Sequence, residues 1–164
     1  MVMGTGFVEK GKGLDDLKNS LKSLGDSQVL IGIPESENAR DDDSGITNSQ
    51  LAFIHSQGSP LQGIPPRPFL EPSIDRNKGL LAIQQRNIIN KSLSGDGDGY
   101  REEMEKTGLL MSTKAKEFLT DPANGLAPNS PETIRRKGSS KPLIDTGSLL
   151  NSITYVVRER GQND

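Results

Sequence analysis

Leu14, Leu17, Leu21 and Leu24 recur at spacings of three, four and three, which puts them on one stripe of a helix whose other faces carry Asp15, Asp16, Lys18 and Lys22. The acids precede the lysines, the order a helix dipole favours. Gly25 is placed to take a left-handed stop; Val29, Ile31 and Ile33 then alternate with Leu30 and Gly32 up to Pro34, so a strand follows. Between residues 35 and 46 no apolar period survives. Glu35, Glu37 and the run Asp41-Asp42-Asp43 outweigh Arg40, and this stretch reads as a flexible acidic loop.

Thr47 or Asn48 can cap a short helix carrying Leu51, Ile54 and His55 and ending near Gly58. In Ile64-Pro65-Pro66-Arg67-Pro68-Phe69-Leu70 three prolines fix an extended path that can cross a sheet edge but cannot lie mid-sheet. A helix from about Ser73 carries Ile74, Leu81, Ile88 and Ile89 and fades by Ser92, where Ser94-Gly95-Asp96-Gly97-Asp98-Gly99 breaks the chain. Tyr100, Met104, Gly108, Met111, Ala115 and Phe118 then define a second long helix, with Gly108 and Ala115 leaving room for close helix contact. The two helices form an expected antiparallel pair packed on a small sheet. Near the end, Asp145 or Thr146 can cap a turn through Leu149 and Leu150, and Ile153, Tyr155 and Val157 alternate in a last strand. Residues 161–164 read as a loose tail.

The pattern therefore predicts one α+β domain over residues 1–164. Its sheet is small and mostly antiparallel, with helices on one face, a long helical pair among them, and extended loops or arms. Composition changes this picture in two ways. Only 31% of the 164 residues are hydrophobic, and 18 Gly and 10 Pro are spread without a repeat, so the core is thin and the loops are long. With 20 basic against 22 acidic residues the net charge is −2, which lacks the basic excess for unspecific binding to DNA phosphates. Cysteine is absent, so disulfides, thiolate metal sites and thiol nucleophiles are excluded, and a reducing cytoplasm is compatible. No apolar leader opens the chain and no run approaches the ~18 apolar residues of a bilayer span, so neither export nor membrane insertion is expected.

The local charge of residues 121–146 is different. From Asp121 to Lys141 the chain carries Arg135, Arg136, Lys137 and Lys141 against Asp121 and Glu132, amid Pro122, Pro128, Pro131, Gly125 and Gly138. Such a connection is longer than chain closure needs, so it reads as an extended basic arm with a function. It has no interleaved aromatic residues on which bases could stack, and its charge suits the acidic edge of a protein partner.

Other chemical signals are weaker. Leu143-Ile144-Asp145-Thr146-Gly147 has the local form of an aspartic protease loop, but too little chain follows for the flap and further strands that such a fold needs, and a helix cap is the simpler reading. Asp96-Gly97-Asp98-Gly99-Tyr100 begins like a calcium loop and then places Tyr100, Arg101 and Thr107 where that loop needs a ligand, a glycine and a bidentate Glu. Gly4-Thr5-Gly6 and Lys137-Gly138-Ser139-Ser140 lack the spacing of phosphate-binding glycine loops. His55, the single histidine, suggests packing or a cap bond rather than acid–base work.

The order of the pieces resembles a family. Ile64 to Leu70, two helices, Leu126-Ala127-Pro128-Asn129-Ser130-Pro131-Glu132-Thr133-Ile134-Arg135-Arg136-Lys137-Gly138 and Lys141-Pro142-Leu143-Ile144-Asp145-Thr146-Gly147-Ser148-Leu149-Leu150-Asn151-Ser152-Ile153 resemble the tail-completion and minor tail proteins of long-tailed double-stranded DNA bacteriophages. Ala52-Phe53-Ile54-His55-Ser56-Gln57-Gly58-Ser59 stands where such proteins often show an Ile-His-Glu-Phe-Gly-like run. Two positions depart from the pattern: Asn124-Gly125 replaces a common Trp, and Asn129 replaces an apolar residue, which predicts a looser anchor for the arm.

The resemblance implies a non-enzymatic structural protein of the virion, made in the host cytoplasm and sitting at the head-proximal end of the tail or in the neck. Its implied partners are copies of itself in a ring such as a hexamer, the tail tube protein and the head–tail connector, with genome DNA passing through the channel unheld. No cofactor, metal or membrane is implied. The partner-binding residues expected on this basis are Arg67, Phe69, Arg135, Arg136, Lys137 and Lys141, with Arg67 and Phe69 fixing the crossing segment. The alternatives are a nucleic-acid-binding module that uses residues 121–146 and a dimeric aspartic protease that uses Asp145.

Overall fold

The stripe from Tyr100 to Phe118 folds as the central helix of a computed structural model that describes residues 10–40 and 45–160, with side chains from residue 13 on. This helix, α5 (Gly97–Thr120), buries Tyr100, Met104, Thr107, Gly108, Met111, Ser112, Ala115, Phe118 and Leu119 along one side. It begins at Gly97, inside the expected glycine-rich break, because Asp96 accepts from the Gly99 amide at 2.9 Å and pairs with Lys91 at 2.8 Å. The acidic residues that resembled a calcium loop are thus a helix cap. No cluster of metal-ligating side chains occurs among the described residues.

Before α5 come α1 (Lys10–Asp26), β1 (Ser27–Gly32), α2 (Asn48–Gln57), α3 (Leu70–Arg76) and α4 (Lys78–Leu93); after it come α6 (Pro131–Lys137), α7 (Ser148–Ser152) and β2 (Thr154–Glu159). The strands pair antiparallel from Ser27↔Glu159 to Gly32↔Thr154, and α5 packs across both of them and against α4. The expected α+β class, small antiparallel sheet and long helical pair are all observed. On α5 the missing side chain of Gly108 admits the ring of Tyr155 from β2, where a Cβ would overlap it. Gly108 thus meets a strand where a close helix contact was expected.

Several details differ from the sequence reading. Gly25 does not take positive φ: α1 passes through it to Asp26 and leads straight into β1. The helix expected from Ser73 begins three residues earlier and is divided at Asn77, whose side chain turns back to the Ser73 carbonyl at 2.8 Å. Leu14, Leu17 and Leu21 do not reach the core and stay 54%, 43% and 54% exposed. α1 is fastened to its neighbours by polar bonds instead, from Ser92 to the Ser20 carbonyl and from the Tyr100 hydroxyl to the Ser23 carbonyl, each 3.2 Å.

The largest correction concerns residues 121–146, which do not extend away as an arm. They contain α6 and fold back onto the body, where Leu143 joins Phe69, Ala115, Phe118, Leu119, Leu149 and Ile153 in one core cluster and Leu126 packs against it. Residues 35–46 are likewise not wholly irregular, since Glu35–Glu37 form one 3-10 turn; Asp41, Asp42 and Asp43 lie outside the described residues, as do Gly4, Thr5 and Gly6 and the 161–164 tail. No described helix is long and apolar enough to cross a membrane.

Candidate functional site

α2 supplies one wall of the site, and its start is specified by sequence. The Thr47 hydroxyl accepts from the Gln50 amide at 3.3 Å while the Gln50 side chain accepts from the Thr47 amide at 2.9 Å, a reciprocal cap. Asn48, only 2% exposed, follows it. Its amide nitrogen donates to the carbonyls of Glu37 and Ala39 at 3.2 and 3.0 Å, and its oxygen accepts from Arg40 and Ser148 at 3.2 and 3.1 Å. One side chain thereby joins the segment after β1, α2 and α7.

At the other end of α2, Gly58 has φ 74° and lies so close to the proline-rich segment that a Cβ would meet Pro66 N at 2.7 Å and Ile64 O at 2.8 Å. That closeness lets the Arg67 amide donate to the His55 carbonyl at 2.7 Å. The Arg67 guanidinium, with the residue 6% exposed, then points away from α2 and donates from Nε to the Ala127 carbonyl at 2.7 Å and from Nη2 to the Pro128 carbonyl at 2.8 Å. α6 follows with Ser130 as cap, Pro131 in its first turn and Gly138 ending it, so Arg135, Arg136 and Lys137 crowd the negative end of its dipole.

Between α2, residues 62–67 and residues 128–149 lies a cleft of about 830 Å³. Arg40, Arg67, Arg136 and Lys137 line it together with His55; Glu132 and Asp145 are the acids on its wall. The surplus of cations shows in the titrating groups. Burial, and then the charges of Arg67, Lys137 and Arg40, hold the His55 imidazole below its ordinary value. Burial also pulls the Lys137 ammonium down, with Arg67 and Arg136 adding to the effect and Asp145 opposing it. His55 Nδ1 is buried without a hydrogen-bond partner. The chemistry such a cleft offers is recognition of anions.

Of the residues anticipated as partner contacts, Arg136 and Lys137 line this cleft, and Arg135 is exposed on α6 outside it. The Lys141 side chain is exposed while its carbonyl accepts from Asn129 at 3.0 Å. Arg67 and Phe69 are buried, at 6% and 2% exposure, so they shape the surface from beneath and do not present themselves to a partner. Asp145 is exposed on the rim.

The two asparagines that departed from the family pattern tighten the segment instead of loosening it. Asn124 donates to the Phe118 carbonyl at 3.1 Å and accepts from the Leu126 amide at 2.9 Å, and Asn129 ties the two sides of the α6 loop together. The joining role of Asn48, the place of Arg40 and the Ala127 and Pro128 partners of Arg67 have no signal in the sequence, which marks Arg67 only as fixing the crossing segment. The Thr47-Gln50 cap marks the register of α2, but nothing local marks Ser148 or Ala127 as partners. Compared with protein-family models, curated proteins and solved structures, the chain matches none.

Proposed function

We propose that this protein is a structural subunit of a long-tailed bacteriophage virion. It acts at the head-proximal end of the tail or in the neck, assembles into a ring and joins the tail tube to the head connector. The observation that carries the reading is the bond of Arg67 to Ala127 and Pro128, which makes one unit of two of the segments on which the family resemblance rests, 64–70 and 126–138, sixty residues apart in the chain. Surface chemistry supports assembly as well. The leucine stripe of α1 is exposed, Phe53 stands 67% exposed beside a hollow of about 370 Å³, and among the described residues each strand of the sheet pairs on one edge only.

A subunit of this kind gains stability as those surfaces are covered by its neighbours. Its acidic balance, with a pI near 5.5, lets a genome pass without being held. The test is joining itself. Phage carrying Arg135→Glu with Arg136→Glu should accumulate filled heads and free tails while the purified variant keeps its fold; normal particles from that double variant would refute the role given to α6.

A further inference from the structure

We propose that the cleft between α2 and α6 receives an acidic segment of a neighbouring protein, with carboxylates against Arg136 and Lys137 and an apolar side chain against Leu51, Leu143 and Leu149. The inference rests on the assembly reading, because it names the chemistry of the partner that the α6 face would meet.

The monomer has assembled this arrangement against an energetic gradient. Four cationic side chains share a cleft with two carboxylates, and the fold draws Arg67 and Lys137 partly out of water to place them there. Arg67 is accounted for by its two carbonyl partners. Arg136 and Lys137 gain only the dipole at the end of α6 and, for Lys137, the nearby charge of Asp145; among the described residues their one hydrogen bond is a long 3.5 Å contact of the Lys137 ammonium with the Lys141 carbonyl. Charges gathered at a cost to the monomer, beside a buried imidazole nitrogen without a partner, mark a place where an anion relieves the strain.

The nature of the anion follows from the rest of the wall. Glu132 and Asp145 interrupt the positive surface, which disfavours a continuous polyphosphate and leaves separate positions for single carboxylates. No Phe, Tyr or Trp lines the cleft, and its one imidazole, His55, is half-buried, so bases find no open stacking platform. Leucine side chains and two prolines form its apolar part, and a volume of about 830 Å³ holds a few peptide side chains.

The single histidine is a reporter already in position. The pH midpoint of His55 can be followed by NMR in the full chain, first alone and then with a blocked peptide of alternating aspartate and leucine. The same peptide with asparagine for aspartate and a short duplex DNA serve as comparisons. Carboxylates entering the cleft offset the surrounding cations, so the aspartate peptide should raise the His55 midpoint and the asparagine peptide should not. Arg136→Glu and the milder Lys137→Gln should each weaken peptide binding about tenfold, whereas Arg135→Glu, off the cleft, should change it less than about twofold.

An unmoved His55 midpoint, equal binding by Arg136→Glu, or a response to duplex DNA in place of the peptide would overturn the assignment. Peptide binding is read on the isolated chain and ring formation on the assembly, so either can fail alone. A silent cleft in a chain that still forms rings defeats this inference only. A responsive cleft in a chain that never assembles defeats the assembly reading only.

Discussion

The carboxamide of Asn48, 2% exposed, uses both its donors and its oxygen within the protein, so removing it takes the partner from two carbonyls and a serine hydroxyl at a part-buried site. We expect Asn48→Ala to cost ~2–4 kcal/mol in urea unfolding. A loss under ~0.5 kcal/mol would show that Asn48 does not hold the three segments together. Gly108 and Gly25 form a second pair of tests on helical glycines. Alanine at Gly25, with nothing within 4 Å, should gain up to ~1 kcal/mol of helix propensity. At Gly108 the added methyl collides with the Tyr155 ring, and the overpacking cost of ~1–3 kcal/mol should make the substitution destabilising on balance.

His55 gives a pH dependence whose sign is fixed. Its folded value lies below the ordinary 6.5 and the unfolded chain therefore binds the proton more readily, so stability is full above that pH and falls as pH drops below it. His55→Gln should flatten this part of the stability profile; a profile with the same slope in the variant would assign the effect to other groups.

Among the elements, the segment from 121 to 146 depends on a few clamps. Arg67 holds it by two carbonyls, and Arg76 holds its start, pairing with Asp121 at 3.3 Å while lying 4.6 Å from the centre of the Phe118 ring. Arg67→Lys keeps the charge and loses the fork that reaches both carbonyls. Limited proteolysis of that variant should cut within 121–146 many times faster than in the parent chain, and an unchanged cleavage pattern would mean that the core leucines suffice.

The same elements show what could be read from sequence. Helix α5, its partner α4 and both strands follow from apolar spacing, since each spacing is local, and α5 buries the face that its spacing marks. The start and end of α2 were legible because Thr47, Gln50 and Gly58 act on their immediate neighbours. Proline and glycine density made 121–146 look extended, whereas Ser130-Pro131 and Gly138 delimit a helix there and Leu126 and Leu143 dock it. The leucine stripe of α1 was legible as a helix, but periodicity does not say whether a face meets the core of its own chain or the surface of another. The cleft was half legible: Arg136 and Lys137 stood out by charge, while Arg40 and His55 joined it only through contacts far apart in sequence.

For the whole molecule, the exposed apolar positions argue for a body completed by neighbours. Serine at Leu14, Leu17 and Leu21 together should leave the monomer folded, because none of the three belongs to its core, and should weaken self-association. A drop in monomer stability as large as that of a core truncation would place this stripe inside the fold instead. The central claim is that this chain builds a ring that joins head to tail. Its most direct test is electron cryomicroscopy of the purified chain mixed with the tail tube and connector proteins proposed as its partners, alongside its mass in solution. The account predicts closed rings seated on the end of the tube or on the connector; a chain that stays monomeric in the presence of both would contradict it.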